Sequence, residues 1–322
     1  MMSFDAIALA TFAATMLVAV MRASTPIVFA ALGGLISDLA GSINVALEGI
    51  MLVAAFFGVI VSVYCQTWLP GLSPWIYPWA GAFAGILAAL FLTGVLAVFH
   101  LELKADLIVA GIAINILAAG LTVFLLVSIV GDKGSTASLN SPSLPLIHIP
   151  GLAGVPPLDV LLNGDGGQGH HVLLYLAFAS VVLVRLFLGR TQYGTWLRAV
   201  GENRDAALIA GIPVKRVQYL GFFLSGFLAS LGGIYLSMGY LSLFQSDMVA
   251  GRGFLALAAI FLGRRSAPGT FIAACVFGAS SVLATQLGMF KIPTQLVYMI
   301  PPVITVIVLV FAGMRQRKLS VS

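Results

Sequence analysis

Glu48 opens an apolar run and follows Asn44 by four residues. A carboxylate at the centre of a membrane helix costs about 2.5–3.5 kcal/mol on insertion scales, so a Glu in such a run is a functional candidate. Read as helix, a spacing of four puts Asn44 and Glu48 on one face, where they suit hydrogen bonding to the polar groups of a solute. The structural alternative is an interfacial Glu, or one clamping a neighbouring helix. Asn115, inside the run 105–130, reads first as an interhelical hydrogen-bond donor and second as a path residue. Phe254 suits stacking on a flat ring, or plain packing. Arg252 stands between Gly251 and Gly253; it reads as structural, by snorkelling to an interface or by pairing with Asp247. No catalytic residue is expected. All four His lie outside the confident apolar runs or at their edges, and catalysis wants its groups at one depth. No metal ligands are expected either. His170 and His171 stand together in a loop that reads as exposed, with no third ligand, and Cys65 and Cys275 lack metal spacing.

The elements that must position these residues follow from composition. Of 322 residues, 60% are hydrophobic and 8% are charged, against about 25% charged in a soluble domain. An all-α polytopic membrane protein is the class that fits. Its apolar runs fall near 6–21, 25–37, 44–64, 78–99, 105–130, 171–188, 217–239, 252–263, 270–288 and 295–313. They predict about ten transmembrane helices in a single domain over 1–322. The start, MMSFDAIALATF, lacks a basic region and a cleavage site and reads as a retained helix. The runs 25–37 and 252–263 are short, which predicts discontinuous helices near the centre.

Two connections are long: 131–170, rich in Pro and Gly, and 189–216, which is polar. Placing 189–216 inside puts 12 of the 16 basic residues on the cytoplasmic side, which the positive-inside rule favours. Loop 131–170 is then external, and with ten crossings both termini are cytoplasmic. His100, Glu102, Lys104 and Asp106 read as a solvated cytoplasmic turn. The net charge of +5 is scattered and does not suggest a nucleic-acid partner. Leu32-Gly33-Gly34 returns as Leu231-Gly232-Gly233, with further echoes at Glu48-Gly49 and Phe56–Gly58 against Gly251–Gly253 and Phe261–Gly263. The spacing and opposite topology predict an inverted repeat, about 25–130 and 217–313, a design that places a substrate path at its pseudo-symmetry axis.

The stretch GTWLRAVGENRDAALIAGIPVKR, Gly194 to Arg216, predicts a short capped helix at 203–210. Asn203 is the N-cap, Asp205 sits in the first turn, Gly211 closes the helix and Pro213 stops the chain. Ala206, Ala207 and Ala210 form a small apolar face suited to insertion into a groove on another protein. The plain alternative is a surface helix bridging two crossings.

Gly194 to Ile212 resembles the coupling-helix motif of permease subunits in ATP-binding-cassette importers, of the branch handling nucleosides, simple sugars and branched-chain amino acids. ALGGLISDLAGSINVALEGIML (Ala31 to Leu52) and MVAGRGFLALAAIFLG (Met248 to Gly263) extend the likeness, which covers most of 25–313. The run Asn44 to Met51 is most similar to nucleoside-type permeases. Asp38-Leu39-Ala40 departs from the Glu-Arg-Ser common there. The resemblance implies alternating access for a small polar solute, nucleosides before simple sugars or branched-chain amino acids. It implies coupling to the ATPase through Arg198, Gly201, Glu202, Asn203, Ala206, Ala207, Ala210 and Gly211. It also implies a separate ATPase chain holding ATP and Mg, a second permease, an external substrate-binding protein and a bacterial plasma membrane. The chain itself carries no G-x-x-x-x-G-K-[ST] phosphate loop. An ion-gradient-driven transporter is the competing class.

Overall fold

The computed structural model describes residues 2–71, 73–139, 141–151, 156–164, 167–288 and 303. Eleven helices are present among them: α1 (Met2–Leu39), α2 (Leu47–Trp68), α3 (Ile76–Leu101), α4 (Leu107–Val130), α5 (Pro156–Asn163), α6 (Val172–Arg190), α7 (Gln192–Glu202), α8 (Arg204–Ile209), α9 (Val214–Ile234), α10 (Arg252–Leu262) and α11 (Ala267–Gly288). A π-helical turn, Tyr235–Tyr240, prolongs α9. Two short strands, β1 (Leu146–Ile147) and β2 (His170–His171), pair antiparallel.

Seven of the helical segments are long and apolar enough to cross a membrane, and α10 is a shorter apolar helix. The expected runs 6–21 and 25–37 are one helix, because α1 passes through Pro26 without a break. Proline removes a donor and ordinarily kinks a helix. Here the hydroxyls of Ser24 and Thr25 bond to the carbonyls of Val20 and Met21, at 2.6 and 2.8 Å. Residues 24–38 are buried without interruption, so neighbouring helices hold α1 continuous through Pro26. In membranes such packing and side-chain bonding regularly accommodate proline. The count of ten crossings is thereby lowered by one, and run 295–313 lies outside the described residues apart from residue 303.

The core gathers on α1, α2 and α9. Phe29, Phe56, Phe222 and Tyr235 are fully buried, joined by Phe277 of α11 and Phe244 of the connection after the π turn. Glycines and serines let these helices approach closely. The apolar window of α2 is 78% buried and that of α4 only 22%. Outward-facing Ile, Val and Phe side chains on α4 suit a lipid surface, since lipid tails are as apolar as they are.

One end of the bundle collects the end of α1, the 189–216 connection and the end of α10. Arg265 donates through Nε to Asp38 Oδ2 at 2.6 Å and through Nη2 to the Asp38 carbonyl at 3.0 Å. The opposite end collects Arg22, the 131–170 connection and the π turn. A helix of 38 residues is about 57 Å long, so the start of α1 lies far from the 189–216 face.

Candidate functional site

At the 189–216 face, α7 begins at Thr191, whose hydroxyl accepts from the Gly194 amide at 3.1 Å. Asn203 separates α7 from α8, and its Oδ1 accepts from the Ala206 amide at 3.0 Å, the expected N-cap. At the other end the Gly211 amide donates to the Leu208 carbonyl and the Ile212 amide to the Ala207 carbonyl, both at 3.0 Å. This double closure needs a left-handed residue, which Gly211 supplies with φ +78°. The apolar face differs from expectation. Ala207 is turned inward and buried, while Leu208 and Ile209 stand out beside Ala206 and Ala210. Ile209 is 89% exposed. In a helix of six residues the inward side is one residue wide, and burying Ala207 against α9 sends its neighbours outward. Arg198 and Glu202 are exposed. Gly201 is where α7 meets α1: a Cβ there would run into the Leu39 carbonyl and the Gly41 backbone.

Around this face the acidic turn is paired. Lys215 Nζ donates to Glu102 Oε2 at 2.8 Å and Tyr219 to Glu102 Oε1 at 3.3 Å. The hydrogen bond from the Lys215 ammonium holds the Glu102 carboxyl below its usual range. Asp106 caps α4, accepting from the amides of Ile108 and Val109, each at 2.9 Å.

The four residues expected on a solute path are distributed unequally. Asn44 is not on a helical face with Glu48, because α2 begins only at Leu47. It is fully buried in the turn between α1 and α2. Its amide N–H donates to Ser37 Oγ, its Nδ2 to Ser225 Oγ, and its Oδ1 accepts from the Ala46 amide, all at 3.0 Å. Asn115 braces the same turn from α4, accepting from the Gly49 amide at 2.8 Å and donating to the Val45 carbonyl at 3.0 Å.

Glu48 reaches α10. Its Oε1 accepts from the Gly251 amide and its Oε2 from the Gly253 amide, both at 2.7 Å. A carboxylate at a helix N-terminus is favoured by the unpaired amides and by the helix dipole. Arg252 neither snorkels nor pairs with Asp247. Its Nη1 folds back onto the carbonyls of Met248 and Val249, at 3.0 Å each. Left-handed residues bound α10 on both sides: Ala250 and Gly251 before it, Arg264 and Arg265 after it. Phe254 is half exposed on the same helix.

At the opposite end the 131–170 connection is ordered by a few bonds of its own and by bonds to distant parts of the bundle. Asn163 exchanges hydrogen bonds with Ile149, accepting at 2.8 Å and donating at 3.0 Å, and donates to Asp159 at 2.7 Å. Tyr175 donates to the Leu162 carbonyl at 2.6 Å. Thr136 and Phe244 exchange bonds of 2.9 Å. His170, expected in an exposed loop, is buried. Its Nε2 lies 3.2 Å from the Leu161 carbonyl and its Nδ1 3.5 Å from Arg22 Nη2. Burial pushes both histidines below the usual imidazole range, and Arg22 adds to it. Beneath them lies a cavity of about 290 Å³ lined by Arg22, Gln168, His170, His171, Leu174, Tyr235 and Tyr240, among others.

Residues 16–309 match the family described as branched-chain amino acid transport system / permease component. The chain belongs to this permease family. It is 33% identical to the guanosine ABC transporter permease protein NupQ of Bacillus subtilis over 89% of this chain and 88% of that one. The nucleoside ABC transporter permease protein NupC of Lactococcus lactis is 32% identical over the same shares. The putative glucose ABC transporter permease protein TsgC13 of Haloferax volcanii is 30% identical over 85% of this chain and 78% of that one.

The permease is thus a multi-pass, non-catalytic transmembrane subunit of an importer. Sequence reasoning missed its Asp38–Arg265 pair and the cavity that gathers Arg22, His170, His171 and Tyr240. Asp38 and Arg265 are 227 residues apart, and no local rule joins them. Arg22 did carry a signal, as a lone cation in an otherwise apolar first helix.

Proposed function

We propose that this permease forms the path by which nucleosides enter a bacterial cell, by alternating access driven by a separate ATPase chain. The observation that carries the substrate is the likeness of almost the whole chain to NupQ and NupC. The exposed Leu208 and Ile209 on a helix capped at both ends make α8 the contact for the ATPase, which would hold ATP and Mg. Gly201 and Leu39 pass its motion to α1. The 189–216 connection is then cytoplasmic and the 131–170 connection external, where a substrate-binding protein delivers solute. The start of α1 falls outside, because one helix replaces the two crossings that had kept it inside. A second permease, identical or related, completes the path.

An inverted repeat is part of this reading. Helix α1 ends and α9 begins at the 189–216 face, so they run oppositely, and so do α2 and α10. Glu48 and α10, joined inside the apolar region, stand at the centre of this arrangement.

The test is ATP-dependent uptake of labelled nucleosides into proteoliposomes holding the complex recovered with this chain, its binding protein supplied. A matched complex carries Ala206→Glu and Ala210→Glu. ATP-dependent nucleoside uptake, with loss of the ATPase subunit in the double variant, supports the proposal. Uptake of glucose alone overturns the substrate, and uptake by the isolated chain on an ion gradient overturns the mechanism.

A further inference from the structure

We infer that the outer cavity beside α1 is a recognition pocket for a 6-oxopurine, with Arg22 as the residue that selects it. This rests on the nucleoside reading above and adds to it a site, a base class and a selecting residue.

The cavity, at about 290 Å³, is near the lower end of small-molecule sites, which run from about 300 Å³ upward. Three separate parts of the chain build it: α1 supplies Arg22, the outer connection supplies His170 and His171, and the π turn supplies Tyr235 and Tyr240. Isolated π turns concentrate at functional sites, and here the turn brings two phenol rings to the same wall, 6.5 Å apart and inclined by 33°. Tyr240 is 54% exposed, leaving a ring face open for a flat heterocycle. Aromatic faces stack on nucleobases with little regard to sequence, so they supply affinity and the polar groups supply choice.

Those polar groups match one base edge. With Nε2–H of His170 donating to the Leu161 carbonyl, Nδ1 is left to accept from Arg22 Nη2, so the imidazole orients the guanidinium. A guanidinium fork binds the O6 and N7 acceptors of guanine in a bidentate manner. Adenine presents an amino donor where O6 would be, which opposes another donor. With Nδ1–H of His171 donating to the Leu144 carbonyl at 3.2 Å, Nε2 remains an acceptor, which suits the N1–H of a 6-oxopurine and not the bare N1 of adenine. Among the described residues no carboxylate pairs with Arg22.

The test measures equilibrium binding of labelled guanosine, inosine and adenosine to the complete permease–ATPase complex in nanodiscs, without binding protein. Variants are Arg22→Gln, Arg22→Lys and Tyr240→Ala, each used as an intact complex by size exclusion. The expected result is guanosine and inosine bound about tenfold or more tighter than adenosine. Both Arg22 variants should lose that preference, because Lys keeps the charge and not the fork. Tyr240→Ala should weaken all three ligands alike. Full guanosine preference in Arg22→Lys, or equal loss for guanosine and adenosine in Arg22→Gln, overturns the assignment. Wild-type guanosine uptake in proteoliposomes with no guanosine binding here overturns the pocket and leaves the nucleoside function standing. Uptake of glucose and of no nucleoside overturns both.

Discussion

The two long connections of this permease differ in what shapes them. The helices of the 189–216 connection are closed by neighbours in sequence: Thr191 caps α7, Asn203 caps α8, and Gly211 closes it, all within three to five residues. Lys215 on Glu102 and Gly201 against Leu39 tie it to distant chain. The 131–170 connection is held at a distance. Thr136 bonds Phe244, Leu144 bonds Met238, and His170 meets Arg22 across 148 residues. The first is a capped unit closed within its own stretch of chain. The second is a cover tied to the bundle beneath it. A connection proposed to receive the ATPase and one that lies over a cavity thus differ in where their hydrogen bonds go.

This contrast can be broken. Gly201→Val should have the largest effect, since its side chain would meet the Leu39 carbonyl and overpacking costs about 1–3 kcal/mol. ATP-driven uptake should fall more than about tenfold, while the proteolysis pattern of the 131–170 connection is unchanged. Asn163→Ala should do the reverse. It leaves the Ile149 N–H and carbonyl unpaired, at about 1–3 kcal/mol. The 131–170 connection should become protease-sensitive while the proposed ATPase partner stays bound. If both variants damage both faces equally, the two connections are not independent. Asn203→Ala should cost about 1 kcal/mol, local to α8, seen as faster amide exchange over 204–210, whereas Asn203→Asp should be close to neutral.

Acid sharpens the comparison. His170 and His171 have imidazole pKa values pushed down by burial, so the unfolded connection binds protons more readily than the folded one. Their contribution is complete above the ordinary value of about 6.5 and is lost as pH falls below it. Amide exchange over 144–175 should accelerate on going below that value. Glu102, held down by Lys215, should keep its pair until the pH drops under the ordinary carboxylate range. Glu102→Gln should have the smallest effect, because the pair is exposed and solvent screens it. A pH-independent exchange pattern over 144–175 would remove the histidines from the account.

The same difference explains what could be read from the residues alone. The short helix at 204–209 was legible because caps, dipole and stop lie in one stretch. The helical class and the membrane were legible from composition. The continuity of α1 was not: Pro26 argues for a break, and what overrides it is burial from every side. For Asn44 and Glu48 the expected shared helical face was wrong, since the helix starts after Asn44. The amides that Glu48 accepts from are 203 and 205 residues away, beyond any local pattern. His170 looked exposed because its neighbours are Gly and polar, and its burial arises only when the connection folds back on α1 and α6.

The unbroken α1 has a thermodynamic consequence. Arg22 and Asp38 stand on one continuous helix, about 24 Å apart along its axis, with Pro26 between them. On the function proposed above, a shift imposed at the Gly201 contact would travel along this one helix to the cavity beside Arg22. Coupling of this kind is reciprocal in free energy. If the proposed ATPase contact and the proposed pocket both hold, whatever factor nucleotide binding applies to solute affinity at the Arg22 end, solute must apply to nucleotide affinity at the Asp38 end, and either measurement gives the other.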